Sequence, residues 1–123
     1  MADDIFEELA TKFGDARAAL PEIKGLLLFD AEGVSALADM DDSNDELALA
    51  YAASELLENI DFFLETAEST EWKSIIFESD DSYFIISHAS ESYFLLSRAD
   101  TTVELQALVD KSSELAEEVA KSL

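Results

Sequence analysis

The 123 residues are 49% apolar, with three Gly and one Pro, and fit one globular domain over 1–123 that buries a single core. Twenty-nine acids against seven bases give a net charge of −22, which argues against nucleic acid and against an anionic membrane as partners. The absence of cysteine excludes disulfides, thiol chemistry and cysteine metal sites, and no apolar run approaches the ~18 residues of a membrane span.

Met1-Ala2-Asp3-Asp4 lacks a signal peptide's basic start, so a cytoplasmic location is expected. The first helix is predicted over 4–20, with Ile5, Phe6, Leu9, Phe13 and Leu20 near one face and acids at its start. Pro21 ends it. Residues 23–29 are a mostly apolar run, the pattern of a strand buried on both faces. Asp30-Ala31-Glu32-Gly33 reads as a hairpin turn, and Val34 to Ala38 as the returning strand.

Asp39 to Asp45 is a polar loop, and Ser43 with Glu46 forms a capping box for a helix reaching about Ala67. On a helical wheel, its residues Ala48, Leu49, Ala50, Ala52, Ala53, Leu56, Leu57, Ile60, Phe63, Leu64 and Ala67 cover an arc of roughly 200°. One sheet does not need so much apolar surface, so a second contact is expected, most simply the same helix of another copy. Trp72–Phe77, Tyr83–His88 and Tyr93–Arg98 read as three strands of an antiparallel meander. Thr101 with Glu104 reads as a second capping box, opening a helix with Val103, Leu105, Leu108, Val109, Leu115, Val119 and Leu123 mainly on one face.

No catalytic constellation stands out, and no cofactor is expected. The one histidine, His88, has no Cys or second His to share a metal, and reads as a strand-end residue with an ordinary hydrogen bond. A calcium loop starting at Asp39 would want Gly and Glu where Asn44 and Ala50 stand, so cap and surface explain those acids. Arg17 and Arg98, the only arginines, read as structural rather than as fingers for a GTPase. Tyr51 and Phe62 fall on the charged side of the long helix near Glu55 and Glu58, where large aromatics mark a contact surface. The acids are spread over the whole chain, which favours adaptation to high salt over a single basic-faced partner.

From about Leu9 to Leu123 the sequence resembles the roadblock family, the dynein light chain and bacterial polarity-regulator group. The resemblance rests on the hairpin Gly25-Leu26-Leu27-Leu28-Phe29-Asp30-Ala31-Glu32-Gly33, the Ala-rich long helix, and the meander from Ser74-Ile75-Ile76-Phe77-Glu78 to Tyr93-Phe94-Leu95-Leu96. It implies an α+β fold, an αββαβββα sandwich with a five-stranded antiparallel sheet. It implies dimers of the chain with itself or with another roadblock protein, through the long helices (Ala48, Ala52) and the first meander strand (Ile75, Phe77). It also implies a small Ras-like GTPase as partner, here expected at Tyr51, Glu55, Glu58 and Phe62. The expected role is therefore a non-enzymatic module that regulates or scaffolds such a GTPase. The rivals are a structural subunit of a motor-type complex and a small-ligand sensor. The acidity departs from the family.

Overall fold

The alternation of side chains along one central strand sets the layering. The computed structural model describes residues 2–41 and 45–123. In chain order they form α1 (Ala2–Ala19), β1 (Ile23–Asp30), β2 (Ser35–Met40), α2 (Glu46–Thr66), β3 (Ser74–Glu78), β4 (Ser82–His88), β5 (Tyr93–Asp100) and α3 (Leu105–Ser122). The strands make one antiparallel sheet in the order β2-β1-β5-β4-β3. Successive residues of β1 point to opposite faces. Leu26 and Leu28 join Leu9, Phe13, Leu108, Leu115 and Val119 in a core beneath α1 and α3. Leu27 and Phe29 join Ala50, Ala53 and Leu57 in a second core beneath α2. The αββαβββα sandwich expected from the sequence is therefore present, with β1 buried on both sides.

Several boundaries move for local reasons. Val34 belongs to the turn, since its carbonyl accepts the Asp30 N–H at 3.0 Å, and β2 continues instead to Met40. The Asp30 carboxylate accepts from the N–H groups of Glu32 and Val34, both at 2.9 Å, and Gly33 takes φ +85°. Trp72 precedes β3 rather than opening it. Its ring lies 4.0 Å from His88 and 5.9 Å from Phe94, outside the ladder that starts at Ser74. β5 runs on to Asp100, because Ser82 extends β4 and pairs with it.

One helix cap differs from the sequence reading. At α3 the side chain of Glu104 itself accepts from the Ala107 N–H at 3.1 Å, so Glu104 replaces Thr101 as the cap. At α2, Ser43 lies outside the described residues. The Glu46 carboxylate accepts from the Ser35 hydroxyl, which ties the helix start to β2. Between α3 and β5 a buried pair joins the layers: the Ser112 hydroxyl donates to Ser97 Oγ at 2.9 Å.

Candidate protein-interaction surface

Helix α2 covers only part of its sheet face. Ala50, Ala53, Ser54 and Leu57 are the buried residues, and they pack on the β1 side. Towards β3 the helix and sheet leave an apolar groove of about 220 Å³, roofed by Leu49, Ala52 and Leu56 and floored by Phe77, Phe84 and Leu96. The Phe77 and Phe84 rings stack at 4.9 Å along its rim. Its outer wall is β3, an edge strand that pairs with β4 alone.

Charge divides α2 sharply. At about 100° per residue, Ala48, Leu49, Ala52, Leu56, Asn59, Ile60, Phe63, Thr66 and Ala67 fill a stripe of roughly 120° that carries no charge. All acids of the helix (Glu46, Glu55, Glu58, Asp61 and Glu65) lie outside it, and the helix has no base. In a chain of net charge −22, this neutral stripe stands out, and it borders an apolar groove and an open strand edge. Among the residues expected to pair two copies, Ala52 and Phe77 line the groove together, Ile75 is half-buried on the same sheet face, and Ala48 is exposed on the stripe.

The opposite flank has another character. Tyr51 and Phe62 are 58% and 70% exposed and share it with the exposed Glu55 and Glu58, as their spacing requires. The Glu55 carboxylate beside the phenol, and Glu58 further off, raise the pKa of Tyr51 and keep it neutral. Sequence reasoning missed Leu47, 73% exposed on this flank, although its wheel position next to Tyr51 would have found it. Phe63, counted in the helix's apolar arc, is 66% exposed and belongs to the part of that arc the sheet does not cover.

The residues weighed for chemistry have structural neighbours. Arg17 Nη1 donates to Asp39 at 2.7 Å, its other terminal nitrogen to Asp41, and its Nε to the Ile23 carbonyl at 3.2 Å. Burial opposes the charge, but the hydrogen bonds to Asp41 and Asp39 outweigh it and the guanidinium pKa rises. Arg98 Nε donates to the Ser82 hydroxyl at 3.1 Å, and its guanidinium lies 5.3 Å from the centre of the Phe84 ring. His88 is exposed, and its ring lies 4.0 Å from that of Trp72 in a tilted pair. No helix among the described residues is long and apolar enough to cross a membrane.

No protein-family model matches the chain, and no curated protein matches it by sequence. Solved structures do match it in shape. The gliding protein MglB from Thermus thermophilus superposes with a TM-score of 0.87 at 12% identity, over 96% of this chain and 90% of that one. An MglB in a tetrameric arrangement gives 0.88 at 13% identity, over 96% and 89%. A Roadblock/LC7 domain from Streptomyces avermitilis gives 0.77 at 16% identity, over 86% and 89%. The chain has the roadblock fold. At these identities the likeness is one of architecture, and the stripe, groove and aromatic flank of this roadblock domain are read from its own residues.

Proposed function

We propose that this roadblock domain is a non-enzymatic interaction module that works as a dimer and binds a small Ras-like GTPase, which it regulates or scaffolds. The observation that carries the first half is the charge-free stripe of α2 beside the apolar groove and the β3 edge. Two copies related by a two-fold axis would bury that stripe and join their β3 edges, removing an aggregation hazard. The tetrameric arrangement of one MglB structure supports self-association as a property this fold tolerates. Support for the second half comes from the sequence resemblance and from the aromatic flank of Tyr51 and Phe62, with Glu55 and Glu58 as a rim for a basic partner. A role in a gliding system is in keeping with the name of the Thermus protein.

Light scattering at micromolar concentration, in dilute and in molar salt, tests the assembly. A dimer mass is expected in high salt, and Ala52→Glu or Ile75→Lys should lower it to a monomer. A monomer in both buffers would refute the reading. Affinity purification at native salt, followed by identification of what co-elutes, tests the partner.

A further inference from the structure

We propose that the β2 edge of the sheet takes up an extended segment of the partner as a sixth strand, and that this segment alternates apolar and basic side chains. The inference rests on the partner surface proposed above and assigns how that surface is engaged.

The strand order leaves two edges, β3 and β2. With β3 joined to a second copy, β2 is the edge that stays open. The Asp41 N–H donates to the Lys24 carbonyl at 3.0 Å. By antiparallel alternation Asp39 and Leu37 turn their backbone groups to β1, and Ala38 and Met40 turn theirs outward. Among the described residues no backbone group pairs with them. Edge strands are ordinarily guarded by lysine, proline or a free charge. β2 reads Ser35-Ala36-Leu37-Ala38-Asp39-Met40, and its one charge, Asp39, is held by Arg17. Its bulge lies at the turn end, opposite Leu28 and Phe29, and leaves the rest of the edge regular.

Exposed apolar side chains border this edge. Val34, Leu47 and Tyr51 are all exposed. The contact of Gly33 with the Tyr51 backbone, and the bond from Ser35 to Glu46, set this flank of α2 against the turn end of β2. An added strand presents alternate side chains to its two faces. On the α2 face they meet Leu47 and Tyr51, which favours apolar residues. Towards α1 they meet Asp39 and Asp41, two carboxylates that share one arginine. Glu32 stands in the turn before β2, Glu55 and Glu58 share the Tyr51 flank of α2, and α2 has no base, so the complementary charge is positive.

The test is amide hydrogen exchange by NMR on the assembled protein, titrated with a nine-residue peptide of alternating valine and lysine. Exchange at Ala38 and Met40 should slow about tenfold or more, with Leu37 and Asp39 unchanged. The same peptide with glutamate for lysine should have no effect. Ala38→Pro, which removes an outward donor and no bond to β1, should weaken the peptide about tenfold. Unweakened binding to a folded Ala38→Pro would overturn the inference. So would shifts at Tyr51 and Phe62 without slowing at Ala38 and Met40, although that result would leave the partner surface standing. No response at any of these residues would remove both.

Discussion

Gly33 stands against the backbone of Tyr51. A Cβ at Gly33 would lie 2.9 Å from Tyr51 Cα and 2.8 Å from Ser54 Oγ, closer than such atoms approach. Its φ of +85° is also a conformation that costs other residues about 1–2 kcal/mol. Gly33→Ala should therefore destabilise the fold by on the order of 2–4 kcal/mol, strain and overpacking together. Urea unfolding measures this. A loss below about 0.5 kcal/mol, the scale of an ordinary surface substitution, would mean that the turn moves freely away from α2.

Ser97 and Ser112 are a second linked pair, joining β5 to α3 inside the core. Ser112→Ala should cost about 1–2 kcal/mol, because the Ser97 hydroxyl is left buried without its partner. Converting both to Ala should cost less than the sum of the single changes, since no orphan remains. A double-mutant cycle read by urea unfolding checks it. Strict additivity would show that the two hydroxyls do not depend on each other.

The element order and the two-faced burial of β1 were legible because apolar periodicity follows directly from which side chains are buried. The surplus of apolar surface on α2 was legible for the same reason. The cap of α3 was not. Thr101/Glu104 has the spacing of a box, yet Glu104 caps on its own. Spacing alone does not decide which side chain of such a pair turns to the free N–H groups of the helix start. The position of Trp72 was hidden too: a strand-forming residue by type, it lies outside the ladder, with its ring tilted on His88 and stacked on Phe94. At the candidate surface the wheel separated the Tyr51 flank from the groove. It did not show how much of the arc the sheet would cover, and Phe63 is 66% exposed.

Net charge gives a prediction about salt. Among the described residues Lys12, Arg17, Arg98 and Lys111 pair with five acids, and the chain has seven bases for 29 acids. At 0.01 M ionic strength the screening length is about 30 Å, so charges repel across much of the domain. Melting temperature should rise from dilute buffer to molar sodium chloride, by about 4 °C for each kcal/mol of repulsion removed. The dimer, which brings two such charges together, should gain more than a monomeric variant such as Ile75→Lys. A constant melting temperature across that range would mean that the acids serve a basic partner instead.

The partner prediction turns on which side chains supply binding energy. Rim acids mainly set association rate and salt dependence, whereas buried aromatic anchors carry most of the affinity. Tyr51→Ala and Phe62→Ala should each weaken GTPase binding by about 2 kcal/mol or more, roughly thirtyfold. Glu55→Gln and Glu58→Gln should lower the association rate and flatten its salt dependence. Arg17 is committed to Asp39 and Asp41, and Arg98 is braced by Ser82 and Phe84. Neither stands out as a finger, so any acceleration of GTP hydrolysis should come from reorienting the GTPase's own residues. Binding and single-turnover hydrolysis should therefore fall together in the aromatic variants and stay near the parent values in Arg98→Ala. Loss of turnover in Arg98→Ala with binding intact would replace the scaffold mechanism with an arginine supplied in trans, worth about 10³–10⁵ in rate. Unchanged binding in both aromatic variants would move the interface off this flank of α2.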